Sequence, residues 1–123
     1  MRFIMMVKGT ARSEAGVMPT PEQMAAMGAY NEQLTKAGVL VDAAGLKPTS
    51  AGAKVQYRGG KPTLAKGPFT GGDIVSGYWI IEAPSTEDAF AWATKAPNPA
   101  FSDTEGEIEV RPFFGEADFA DAG

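Results

Sequence analysis

Residues 66–85, KGPFTGGDIVSGYWIIEAPS, set a Gly/Pro-rich bend directly before an apolar strand and a helix cap. Ile74 to Glu82 is rich in β-branched and aromatic residues and is stopped by Pro84, which makes it the strongest strand signal in the chain. Ser85, with Asp88 three residues on, caps a helix from Thr86 to about Lys95, with Ala89, Phe90 and Ala93 as its inner stripe and Pro97 and Pro99 beyond its end.

The same strand-then-helix plan stands at the start of the chain. Arg2 to Val7 (RFIMMV) is short and continuously apolar, as a strand buried on both faces requires. Thr20, Pro21 and Gln23 combine an N-cap, a proline at the first helical position and a capping box, so a helix runs from Pro21 to about Ala37 and stops at Gly38. Its inner stripe reads Met24, Met27, Asn31 and Leu34. A second strand opens at Val39 to Val41 and is broken by the Gly45 to Thr49 region. Lys54 to Arg58 and Pro62 to Lys66 flank Gly59-Gly60 as a hairpin, and Glu107 to Arg111 alternates as a last strand with one dry face.

Two right-handed βαβ units interrupted by a hairpin predict an α+β fold, the ferredoxin-like antiparallel sheet with both helices on one side. Residues 1–115 form one domain in this reading, and residues 116–123, with Glu116, Asp118 and Asp121, an acidic tail that is at best partly ordered. The strand pattern raises a difficulty. Trp79 and Ile81 oppose Tyr78 and Ile80, and Phe3, Met5 and Val7 oppose Ile4 and Met6, so both sheet faces are apolar while two helices cover only one. A second copy of the chain is the simplest cover, which predicts a homodimer with facing sheets.

Composition narrows the chemistry. The chain has no Cys and no His, so disulfides, thiolate nucleophiles, Ser-His-Asp relays and HExxH zinc helices are excluded, and no metal site or cofactor is expected. Eleven Lys and Arg are scattered among 15 Asp and Glu, which argues against nucleic-acid binding. The apolar run Phe3 to Val7 is too short for a signal-peptide core or a membrane span, and the expectation is a soluble, cytoplasmic protein.

The apolar first strand, GVMPTPEQMAAMGAYNEQLTKAGVLVDAAGLKP (residues 16–48), GPFTGG (67–72), SGYWIIEAPSTEDAFAWA (76–93) and the closing EIEVRPF (107–113) together resemble the YCII-related family, in its DGPF-domain branch. The resemblance spans about residues 1 to 114 and implies a dimeric α+β barrel. It implies little about activity. The chain departs from the branch at Lys66, where an Asp usually precedes Gly-Pro-Phe, and at Thr70, Gly71 and Gly72. Some relatives carry a His-Asp acid-base pair; this chain has no His and reads Ala96-Pro97-Asn98-Pro99 where they run into Asp-Pro and an aromatic residue.

Three residues are the candidate ligand contacts. Arg111, at the family's EVRP position, has the fork geometry to clamp a carboxylate or phosphate; the competing role is an ion pair with Glu109. Asp73 is a base if desolvated and otherwise a turn residue, in a Gly67 to Asp73 stretch that is either an anion-binding nest or a bend. Tyr78 and Trp79 face opposite sides of the sheet, one beneath the helices and one in the barrel interior, where it stacks on a planar ligand or fills the core. The expected function is binding of a small organic ligand in a sheet-lined cavity. The alternatives are a cofactor-independent isomerase, lyase or monooxygenase, and an interaction partner in a sigma-factor-linked system, since members of the family are often encoded near extracytoplasmic-function sigma factors.

Overall fold

The computed structural model describes residues 1–70, 73–99 and 106–120. Six strands and four helices follow one another as β1 (Arg2–Lys8), α1 (Ala11–Glu14), α2 (Pro21–Lys36), β2 (Leu40–Gly45), β3 (Ala53–Arg58), β4 (Lys61–Lys66), β5 (Val75–Glu82), α3 (Thr86–Thr94), β6 (Ile108–Pro112) and α4 (Glu116–Ala120). The main sheet has the order β2-β5-β1-β6 with every neighbouring pair antiparallel, and β3 pairs with β4 in a separate ribbon. The architecture is α+β.

The apolar strands lie at the centre. β1 and β5 pair with Phe3 opposite Ile81 and Met5 opposite Trp79, and these side chains meet Tyr30 and Leu34 of α2 and Ala89 of α3 in the core. Phe3, Met5, Leu34 and Ile81 are fully buried, each contributing about 1.5–3 kcal/mol. Ile4 and Met6 of β1 and Tyr78 and Ile80 of β5 occupy the opposite face, which no helix among the described residues covers, and are half-buried.

Polar ties join the layers. The Tyr30 hydroxyl donates to the Trp92 carbonyl at 2.6 Å, linking α2 to α3, and the Trp79 indole N–H donates to Asn31 Oδ1 at 2.6 Å, linking the sheet to α2. Tyr30 and Trp79 also meet edge to face, with ring centroids 5.2 Å apart.

The capping box at Thr20 forms as expected, Thr20 Oγ1 accepting from Gln23 N and Gln23 Oε1 from Thr20 N. Gly59 and Gly60 both adopt positive φ, 59° and 82°, the backbone that a two-residue hairpin turn demands. Two stripe positions differ from expectation. Met24 and Phe90 are exposed at 60% and 50%. The buried arc of α2 runs through Met27, Tyr30, Asn31 and Leu34, and Met24 lies a turn beyond it; in α3 it runs through Ala89, Trp92 and Ala93, which turns Phe90 outward.

Burial pushes the Tyr30 phenol up to about 12 from its ordinary 10. The folded state therefore holds this proton after the unfolded chain has lost it. Its contribution to stability is complete below pH 10 and is lost between pH 10 and about 12. Tyr30→Phe is expected to cost about 1 kcal/mol at neutral pH through the lost hydrogen bond, and to flatten the alkaline loss, both read from thermal melts across pH 7–12.

Candidate functional site

A cleft of about 740 Å³ opens between the N-terminal half of α2, the connection from β1 to α2, and the chain that leaves β2. That volume suits a small organic molecule. Val7, Met27, Trp79, Ala43 and Leu46 supply apolar walls, with Val17, Met18 and Pro19 along the rim. Asn31, Ser13, Thr10, Gln23 and Ser76 add hydrogen-bonding groups. Among the described residues, Arg12 and Lys47 are the only charged ones in the lining, and neither makes an ion pair.

Helix α1 positions Arg12. A second capping box builds it: Thr10 Oγ1 accepts from Ser13 N at 3.2 Å, and Ser13 Oγ accepts from Thr10 N at 2.8 Å. The Glu14 carboxylate then accepts from both the amide, at 3.0 Å, and the hydroxyl of Thr49, while Thr49 Oγ1 accepts from Phe69 N at 2.9 Å. Three segments distant in sequence thus share one side chain. The Gly-Pro-Phe bend closes against the same point: Gly67 N donates to Gly52 O at 2.9 Å, and a Cβ on Gly67 would overlap the Thr49 carbonyl. Gly67 and Phe69 are thus occupied by packing and hydrogen bonding within the chain. Gly71 and Gly72 of the expected nest lie outside the described residues.

The three residues singled out from sequence are dispersed. Tyr78 borders the cleft, but its side chain crosses the uncovered sheet face, where its hydroxyl donates to Asp42 Oδ2 at 3.3 Å. The Asp42 charge, with some desolvation and the hydrogen bond, raises the phenol pKa and keeps it a proton donor. Asp73 is largely exposed and lies 3.3 Å from Lys8 Nζ, which also contacts Glu109 at 3.0 Å. The hydrogen bond that Lys8 donates to Glu109 leads the causes that raise the Lys8 pKa. Arg111 stands opposite Ile4 on the uncovered face, exposed, and among the described residues makes no ion pair with Glu109 or any other acid. Lys8 and Ile4 are four residues apart on β1, so about 13 Å separates the Asp73 and Arg111 positions along the strand.

Trp79 is the aromatic residue beneath the helices, 3% exposed, which settles the strand's orientation. Arg12, Asn31 and Lys47 were not singled out as site residues from the sequence. Asn31 had a signal, a polar residue on an apolar helical stripe; Arg12 and Lys47 had none, being ordinary cations between the predicted elements until the fold brings both into the lining of one cleft.

This is an α+β chain with a helix-flanked cleft and one bare sheet face. The family model for the YCII-related domain matches residues 1–114, and the chain belongs to that family. Comparison with curated proteins returns no match.

The packing at Gly67 has a measurable consequence. Gly67→Ala is expected to lower stability by about 2 kcal/mol or more, because the clash is with backbone. Gly28→Ala, in the exposed middle of α2 with nothing within 4 Å of the added methyl, is expected to raise it by about 0.5–1 kcal/mol. Chemical denaturation of both variants checks the contrast.

Proposed function

We propose that this protein is a homodimeric small-molecule binding protein of the DGPF-type branch, and that its ligand is an organic anion with a substantial apolar part. The observation that carries the reading is the charge of the cleft. In a chain with 15 acids and 11 bases, the described lining holds Arg12 and Lys47 and no carboxylate. Two cations in a lining that also holds Met27, Trp79 and Leu46 fit a carboxylate or phosphate head with an apolar or planar body.

Binding is favoured over turnover. The described lining offers no carboxylate to act as base, and the chain has no imidazole or thiol. The Tyr78 phenol is held protonated by Asp42 on the other face. Arg111 and Asp73 are assigned to the rim of the uncovered face, where Arg111 is free to meet an acidic group of the facing subunit or a ligand held between the sheets.

The homodimer reading rests on Ile4, Met6, Tyr78 and Ile80, an apolar centre ringed by Arg2, Glu82, Lys8, Glu109 and Arg111. Face-to-face packing of two ferredoxin-like sheets into an α+β barrel covers it. No helix among the described residues is long and apolar enough to cross a membrane, and a second protein surface is the cover proposed here.

Two measurements test these readings. A thermal-shift panel that pairs aromatic and aliphatic carboxylates and phosphates with their neutral amides or alcohols is expected to show stabilisation by the anions alone. Arg12→Gln/Lys47→Gln is expected to weaken that binding about ten- to hundredfold; no shift across the panel, with no small molecule retained through native purification, overturns the ligand reading. In sedimentation at micromolar concentration the protein is expected to run as a dimer and Ile80→Asp as a monomer. A monodisperse wild-type monomer overturns the sheet-face dimer.

A further inference from the structure

The β3–β4 ribbon presents an apolar stripe that the described residues of its own chain leave exposed. Val55 pairs with Leu64 and Tyr57 with Pro62, which puts these four side chains on one face. Val55, Tyr57 and Leu64 are 52%, 74% and 60% exposed. A two-stranded ribbon is marginal by itself in water. Here it is anchored at its base by the Gly67–Gly52 hydrogen bond and by Lys54 Nζ, 4.4 Å from the centre of the Phe69 ring. Its strands carry Lys54, Arg58, Lys61 and Lys66 and no acid.

The segment after β6 has the opposite character. Phe114 and Phe119 pack on each other with centroids 5.3 Å apart, yet stay 80% and 63% exposed, and Glu116 and Asp118 flank them with no base in residues 113–120. The sheet keeps these two surfaces apart within one molecule. The ribbon leaves where Gly45 pairs with Gly77, at the Val7 end of β1 and beyond the β2 edge. The acidic segment leaves where Pro112 pairs with Phe3, at the other end of β1 and on the β6 edge. Four residue steps along the strand and three strand spacings across it place the two exits about 20 Å apart.

We propose that the ribbon is an intersubunit arm, and that its Val55–Tyr57–Leu64 stripe takes the Phe114–Phe119 segment of a second copy of this chain. The apolar faces match, and the Lys and Arg residues around the stripe meet Glu116 and Asp118. Lys66 stands on the stripe's own face at the base of the arm; Arg58 and Lys61 pair on the ribbon's other face at its tip, with side chains long enough to wrap its edge. The arm shares no residue with the cleft lining, and it adds a second contact to the face-to-face pairing of the sheets.

The natural lack of cysteine makes the test direct. Leu64→Cys and Phe119→Cys variants of the full chain, mixed and oxidised, are expected to give the mixed disulfide dimer well above the yield of either variant alone. The doubly substituted chain is expected to link between molecules and not within one. Arg58→Glu/Lys66→Glu and Glu116→Lys/Asp118→Lys are each expected to weaken self-association at least tenfold at low salt, and a mixture of the two to restore it. Random cross-linking, an intrachain disulfide, or association indifferent to both charge reversals overturns the arm, the last result pointing to a different protein as its occupant. Ile80→Asp reports separately on the sheet face, so failure of the one contact is distinguishable from failure of the other.

Discussion

The central strand pair β1–β5 is apolar on both sides, and this is the constraint on which the rest of the structure depends. Antiparallel pairing fixes Phe3, Met5, Trp79 and Ile81 on one face and Ile4, Met6, Tyr78 and Ile80 on the other. Only the first set is sealed, by α2 and α3. The charged residues of the bare face are confined to its periphery, Arg2 with Glu82 at one end of β1 and Lys8 between Asp73 and Glu109 at the other. Exposed ion pairs of this kind add little stability. Their placement instead frames an apolar patch, the usual arrangement of a surface that meets another surface.

Local chemistry made the element order readable. Thr20, Pro21 and Gln23 start α2, Ser85 starts α3, and Gly59-Gly60 turns the hairpin, each through a hydrogen bond or dihedral specific to that place. Where the structure exceeds the reading, tertiary pairing or an unusual cap is the cause. β2 ends at the expected break, Gly45, but a register shift between Leu40 and Asp42 in its pairing with β5 sends Asp42 to the bare face beside Tyr78. Helix α1 was hidden because its capping box uses Ser13 where Glu or Gln is the recognisable signal. The last acidic stretch contains the short helix α4, whose start Asp118 caps by accepting from Gly115 N at 2.7 Å.

The candidate site was less legible than the fold. Alternation along β5 and β6 tells which residues share a face, and on that basis it groups Tyr78 with Arg111. It says nothing about which loops close over the sheet's end. The cleft is assembled from the β1–α2 connection, one flank of α2 and the chain after β2, so its cations belong to segments 35 residues apart in numbering with no common pattern. The Gly-Pro-Phe sequence, conspicuous in the chain, turns out to serve packing: the bend is shaped to lie on Thr49.

Thr49 is a single knot in three strings. The Glu14 carboxylate that holds it ends the same one-turn helix that carries Arg12 to the cleft, and the Phe69 amide that donates to its hydroxyl belongs to the bend at the foot of the hairpin. The helix that bears Arg12 and the foot of the projecting ribbon are therefore pinned to one and the same hydroxyl.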